Sequence, residues 1–317
     1  MKCYFLINPF AGKGGAHEAL RKSIHEACEA RGIDVEIHLT EHVGEATEFV
    51  RRICTACPDE PLRFYACGGD GTLGETVRGA VGFPHASVGV IPVGTGNDFV
   101  RNFSDSTLFL DVGAQLDATE MEADLIACND TVAVNMVNIG FDCEVVKKKE
   151  ELKRNRFVPN KLSYVVGVVL TLLRKPGVKV TISVDGGEPK RARFLLTTFA
   201  NGAFCGGGFH SNPLAALADG RLDALLVNNV SRTRFVSLVG SYKKGTHLVE
   251  KNKKLLQWQK LSEVDMTFDG VQSICIDGEI TEVRSLHMHI LPRSLRFLLP
   301  CGVSYAAAED CREEATV

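Results

Sequence analysis

A chain of 317 residues with 45% apolar and 24% charged residues can bury a large core, and its length favours two domains over one. The composition excludes disorder, and a formal net charge of -3 excludes a global nucleic-acid-binding signature. Eleven cysteines, an odd number with no regular framework, point to a reducing cytoplasm rather than a disulfide scaffold.

The chain enters a strand at once, over residues 2–7, and that apolar run is too short for a signal peptide. Asn8-Pro9-Phe10-Ala11-Gly12 follows it directly. Periodicity then predicts a helix over 16–31, a strand over 34–39, a helix over 44–54, and strands over 63–67 and 88–91. The third strand runs into Gly68-Gly69-Asp70-Gly71-Thr72-Leu73, and the fourth into Pro92-Val93-Gly94-Thr95-Gly96-Asn97-Asp98. The alternation implies βαβ units and a mostly parallel sheet over residues 1–125. Loops at consecutive strand ends of such a sheet line one crevice, and glycine loops leading into helix N-termini suit an anion, most simply a phosphate. A nucleotide site is the expectation.

After about residue 125 the texture changes to strand following strand, with turn signals at Asp185-Gly186, Asn201-Gly202, Asp219-Gly220, Asp269-Gly270 and Asp277-Gly278. A mainly antiparallel β domain over 126–291 is expected, interrupted by helical insertions around 141–173 and 233–249. The last strand-like run, 295–299, makes the segment from about 292 to 317 a candidate to return to the first domain. No repeat or Pro-rich linker separates the domains, so they are expected to meet across a cleft. An edge strand of the β domain offers a route to a homodimer.

Several familiar signatures fail. Gly12-Lys13 is followed by Gly14, which breaks the Walker pattern, and neither glycine loop completes a dinucleotide fingerprint. Cys54-Thr55-Ala56-Cys57 lacks a second ligand pair for zinc, and His287-Met288-His289 lacks a third ligand and reads as an ordinary strand face. The apolar run 164–173 falls short of the ~20 residues that span a bilayer.

Asn8-Pro9-x-x-Gly12, Gly68 to Thr72 and Pro92-x-Gly94-Thr95-x-Asn97-Asp98, in this order and spacing, resemble the catalytic domain of diacylglycerol, sphingosine and ceramide kinases, and most of all the compact bacterial lipid kinases. The resemblance continues through Asn138-x-Gly140-Phe141-Asp142, Asn201-Gly202 with Gly206-Gly207-Gly208, Asp219-Gly220-x-Leu222-Asp223 and Asp277-Gly278-Glu279, and so covers nearly the whole chain. It implies a three-layer α/β first domain of the NAD kinase and diacylglycerol kinase type that holds ATP, and a β-rich domain that holds the lipid. It places Asn8, Pro9, Phe10, Ala11, Gly12, Thr40, Gly68, Gly69, Asp70, Gly71, Thr72, Leu73, Gly74, Glu75 and Thr95 around ATP. From the residues alone, Thr40 is an N-cap candidate. One departure stands out: the family usually carries Asn where this chain has Gly74, which removes a polar side chain near the phosphates.

Phosphoryl transfer to an alcohol needs positioning, metal neutralisation of the phosphates and a carboxylate for the hydroxyl proton. The resemblance assigns Asp277 as that base with Glu279 beside it, and Asp70 to the nucleotide Mg²⁺ network. It assigns a structural Mg²⁺ to Asp219 with the carbonyls of Ala216 and Arg221. Without the resemblance, Ile276-Asp277-Gly278-Glu279 is an ordinary hairpin turn. Asp277→Asn is expected to lower turnover by about 10²- to 10⁴-fold with the fold retained. The basic stretch 147–156 beside the apolar run 165–173, and a second group of Lys243, Lys244, Lys251, Lys253 and Lys254, fit a surface that settles on an anionic membrane. From the residues alone, a solvated helix followed by a core helix is the favoured reading of the first stretch, and the second group is open to the same two readings. The expected activity is ATP- and Mg²⁺-dependent phosphorylation of a membrane lipid, foremost diacylglycerol, at the inner face of the cell membrane. The alternatives are an NAD kinase, which shares the Gly-Gly-Asp-Gly-Thr loop, and an inactive lipid- or nucleotide-binding regulator.

Overall fold

β1 (Lys2–Ile7) is buried along nearly its whole length, which only a strand covered on both sheet faces can be. The computed structural model describes residues 2–12, 16–141, 143, 177–230 and 232–305. In it, β1 lies in parallel between β2 (Asp34–Leu39) and β3 (Leu62–Gly68), and β3 pairs in parallel with β4 (Ala86–Pro92). The helices α1 (Ala16–Glu29), α2 (Glu45–Ala56) and α3 (Asp70–Ala80) connect these strands. The chain clusters into two units, one of residues 1–125, 217–219 and 291–317, the other of 126–216 and 220–290. No composition shift announces that residues 217–219 cluster with the first.

Within the first unit the last part of β13 (Glu279–Leu299) pairs in parallel with β4, Arg296 opposite Ser87 and Phe297 opposite Val88. Phe297 stacks on Phe103 at 5.4 Å and meets Phe99 edge-on at 5.1 Å, so the C-terminal strand supplies the centre of an aromatic cluster. Thr40 is not the cap of α2. That position is Gly44, in the left-handed region at φ 90°, while the Thr40 amide donates to Ile7 O at 3.0 Å. The Glu45 carboxylate reaches back to the amides of Glu41 and His42 at 2.5 and 3.3 Å, which closes the loop between Thr40 and the helix.

The second unit is antiparallel throughout its sheet, in the order β11 (Leu256–Leu261), β10 (Leu222–Asn228), β9 (Lys190–Ala200), β7 (Met136–Gly140), β12 (Glu263–Ile276) and the start of β13. β8 (Val178–Val184) pairs with both β12 and β9, and β5 (Thr119–Cys128) pairs with β6 (Thr131–Ala133). Val137, Ile139, Phe194, Met266, Ile274 and Met288 belong to its core. Of the turn signals, Asp277-Gly278 forms a two-residue hairpin and Asp185-Gly186 begins the five-residue connection from β8 to β9, both with positive φ at each position, 47° and 94°, 47° and 68°. Asp269-Gly270 instead lies inside β12, where the register against β13 shifts between Thr267 and Gln272. Asn201-Gly202 makes no hairpin either; both amides donate to Asn135 O, at 2.8 and 3.0 Å.

The expected insertion over 141–173, with its basic stretch 147–156 and apolar run 165–173, lies outside the described residues apart from Phe141 and Cys143. The second insertion contains α4 (Arg232–Lys244), which ends earlier than expected because Gly245 adopts φ 72°. No helix among the described residues is long and apolar enough to cross a membrane. All ten described cysteines are free. Phe297→Ala should destabilise the protein by about 3–5 kcal/mol in urea denaturation. A loss below about 1 kcal/mol would show that β13 is not integral to the first unit's core.

Candidate active site

Three loops meet at the C-terminal ends of β1, β3 and β4. After β1, the Asn8 side chain accepts from the Phe10 amide at 2.9 Å and Ala11 N–H donates to Asn8 O at 3.1 Å, a tight turn in which Pro9 takes the position its fixed φ favours. Gly12 follows at φ 78°, and a Cβ there would lie 2.9 Å from Val93 O, so this loop rests on the one after β4. After β3, α3 starts at Asp70 with Gly69 as its N-cap and no side-chain cap. The amides of Asp70, Gly71 and Thr72 precede the first helical bond, from Leu73 N–H to Gly69 O at 3.1 Å. After β4, Gly94 N–H donates to Gly68 O at 2.9 Å, and a Cβ on Gly94 would stand 2.4 Å from Gly69 Cα. Asn97, at φ 52°, ties its own loop by donating to Pro92 O and Gly94 O at 2.8 and 2.9 Å. The result is a glycine-lined cradle at an uncapped helix N-terminus, the arrangement that receives phosphate.

Asp70 turns its carboxylate inward, accepting from Asp98 N–H at 2.9 and 3.1 Å and from Phe99 N–H at 3.2 Å. Burial raises its pKa above the usual carboxylate range, and the nearby Asp98 raises it further, against the opposing pull of these amides. The other expected nucleotide residues divide. Thr72 receives a 3.5 Å contact from Asn8 Nδ2, Thr95 is exposed in the loop, and Phe10 projects outward at 84% exposure. Leu73 packs into the core, and Glu75 faces α2, accepting from Ala46 N–H at 3.3 Å and from the Thr47 hydroxyl through its carbonyl at 2.8 Å. Gly74 does not leave a simple gap: a Cβ there would meet Arg78 Nη1 at 3.2 Å, so a guanidinium one helical turn on lies where the family's Asn side chain would project. That i, i+4 relation is readable only once the helix register is known.

In the second unit, Asp277 is 8% exposed and its carboxylate accepts three amides, Val134 at 2.6 Å, Asn135 at 3.0 Å and Met136 at 2.9 Å. Glu279, half-buried, begins β13 beyond the turn. Asp219 is exposed on the loop before β10, and the Arg221 guanidinium is tied to Ser262 Oγ and Lys260 O at 3.1 and 3.0 Å. His287 pairs with Asp265 at 2.8 Å across β12 and β13, and with His289 at 3.3 Å. Among the described residues no group of three or more His, Cys, Asp or Glu is arranged to hold a metal.

Residues 2–138 match the diacylglycerol kinase catalytic domain, and residues 135–299 match the YegS C-terminal NAD kinase beta sandwich-like domain. The chain belongs to the diacylglycerol kinase catalytic-domain family. It is 27% identical over 291 residues to "Putative lipid kinase SH2167" of Staphylococcus haemolyticus, covering 87% of this chain and 88% of that one. "Putative lipid kinase SERP0390" of Staphylococcus epidermidis is 24% identical over the same length and the same shares. The fold is that of a "putative diacylglycerol kinase" from Bacillus anthracis, with a TM-score of 0.75 at 22% identity over 94% of this chain and 97% of that one.

Gly94→Ala should cost about 1–3 kcal/mol, because backbone rather than a movable side chain stands in the way. Wild-type thermal stability in that variant would show that the two loops do not touch. Asp70 gives a pH dependence of defined sign. Its folded pKa lies above its unfolded one, so the folded chain holds the extra proton between them, and the stabilisation is lost as pH rises through the folded value. The stability of wild type relative to Asp70→Asn should therefore fall as pH rises above the unfolded aspartate value of about 4. A constant difference in pH-dependent denaturation would contradict this.

Proposed function

We propose that the protein is an ATP- and Mg²⁺-dependent lipid kinase that transfers the γ-phosphoryl group to the hydroxyl of a membrane lipid, foremost diacylglycerol to give phosphatidic acid. The observation that carries the nucleotide half is the glycine cradle at the start of α3, where amides rather than side chains face an anion. Gly12, Gly68, Gly69 and Gly94 let the backbone come close to the phosphates, and Asp70 keeps the two later loops together. The family membership supports the lipid as acceptor.

Asp219 with the carbonyls of Ala216 and Arg221 suits a hard cation, because every donor in the set is oxygen and the Arg221 guanidinium is tied elsewhere. When bound, Mg²⁺ supplies neutralisation of phosphate charge. Asp277 is proposed to accept the proton of the lipid hydroxyl, with Glu279 beside it. The exposed lysines 243, 244, 251, 253 and 254 support attachment to an anionic membrane from the cytoplasmic side.

The three amides held by Asp277 change what its replacement tests. An Asn presents one acceptor oxygen and turns an N–H₂ toward N–H donors, so Asp277→Asn should lose about 2–4 kcal/mol of stability along with turnover. The expectation that the fold is fully retained is therefore revised. Transfer of labelled γ-phosphate from ATP to anionic vesicles containing diacylglycerol should appear with wild type and require Mg²⁺. It should drop by about 10²- to 10⁴-fold in Asp277→Asn at a temperature where the variant stays folded. Label on NAD in a lipid-free control, with none on lipid, would replace this reading with an NAD kinase.

A further inference from the structure

Four polar side chains share one face of the ladder between β12 and β13. Glu263 lies opposite His289 and Asp265 opposite His287, while the alternating residues Val264, Met266, Leu286 and Met288 are buried in the second unit's core. Strand alternation therefore turns Glu263, Asp265, His287 and His289 to the other face. That face is open to solvent here, with the His287 and Asp265 side chains 49% and 58% exposed. The backbone beneath them is held firmly. His287 N–H donates to Asn129 Oδ1 at 2.9 Å, Asn129 N–H donates to His287 O at 3.0 Å, and Asn129 Nδ2 donates to Ser285 O at 3.2 Å.

Three of the side chains are linked in a row. The Asp265 carboxylate stands 2.8 Å from His287 Nδ1, and His287 Nε2 stands 3.3 Å from His289 Nδ1. An ionised carboxylate only accepts, so Asp265 holds the Nδ1 proton of His287 and leaves the Nε2 lone pair of the neutral ring on the side of His289. A carboxylate behind a histidine in this way fixes the tautomer and raises the basicity of a metal-ligating ring. The spacing fits as well, because two nitrogens bound at ~2.0–2.1 Å to one tetrahedral ion stand about 3.3–3.4 Å apart. The neutral His289 ring has a single proton, and with that proton on Nε2 its Nδ1 presents the second lone pair.

We propose that His287 Nε2 and His289 Nδ1 together bind a divalent transition-metal ion, Zn²⁺ foremost, with Asp265 orienting His287 through its other nitrogen and water completing the coordination. Imidazole pairs select such an ion over Mg²⁺, which takes oxygen donors. Glu263 and Asp265 place negative charge beside the cation on the same sheet face. The site is separate from the Mg²⁺ of the proposed kinase reaction and does not rest on that reading.

The test is equilibrium dialysis of the untagged full chain against Zn²⁺ in excess Mg²⁺, comparing wild type with His287→Gln, His289→Gln and Asp265→Ala. With EDTA present all four proteins should melt alike, because these side chains lie on the solvent face. Wild type should bind one Zn²⁺ more than either histidine variant, and one folded histidine variant is enough to decide. Asp265→Ala should keep the site and weaken it by about tenfold to a hundredfold. Equal zinc content and affinity in wild type and the histidine variants, as binding at the exposed Cys301 would give, overturns the proposal. Zinc that Mg²⁺ displaces from wild type overturns it too.

Discussion

The approach of Gly94 to Gly68 and Gly69 is the constraint on which the nucleotide side of the molecule depends. A single hydrogen bond of 2.9 Å joins the loops after β3 and β4, and a Cβ on Gly94 would stand 2.4 Å from backbone. No rotamer change relieves that clash, so the two loops can lie together only while position 94 is glycine; a Cβ on Gly69 would stand at an ordinary 3.6 Å from Gly94 Cα. Their contact brings the amides of Asp98 and Phe99 within reach of the Asp70 carboxylate, which in turn fixes the first turn of α3. The parallel order of β1, β3 and β4 sets the loops side by side, and the glycines convert side by side into backbone contact.

Asp70 and Asp277 use the same device in different units. Each is an aspartate with its carboxylate bonded to consecutive amides of another segment, Asp98 and Phe99 in one case and Val134 to Met136 in the other. A carboxylate has enough lone pairs to hold several N–H groups at once, and at Asp277, where both oxygens accept, neither Asn nor Ala can substitute for it without leaving a donor unpaired. Both residues therefore serve local structure whatever else they do. Loss of activity after replacing either one carries information about chemistry only when stability is measured alongside.

Periodicity was enough to place β1 to β4 with α1 and α2, because buried parallel strands read as short apolar runs and these helices as amphipathic ones, while α3 was implied only by the glycine loop before it. The family was equally legible, through ordered motifs that local chemistry alone could not have interpreted. What escaped the sequence depends on long-range register. Asp269-Gly270 has the composition of a hairpin but lies where β12 carries extra residues against β13, and Asn201-Gly202 has its amides claimed by Asn135. Thr40 looks like a cap because only the structure reveals that Glu45 closes the loop behind it. Gly74 reads as a missing polar group until the helix puts Arg78 over it.

Buried polar atoms without partners do not by themselves mark a site. Gln115 donates to Val90 O and Phe109 O at 2.5 and 2.9 Å and receives the Tyr65 hydroxyl on its carbonyl at 2.9 Å, yet its Oε1 is unpartnered among the described residues. His247 is fully buried, and burial drives its pKa down to about 4, so it stays neutral. Gln115 is explained by the two backbone carbonyls that its amide holds. Asn135 and Asn138 differ in position rather than in kind. They lie within four residues of each other, on either side of an amide that Asp277 grips, on a segment whose backbone is already fully engaged. A fold that spends three amides to hold the Asp277 carboxylate fixes the entry into β7 through that one side chain, whatever else the side chain does.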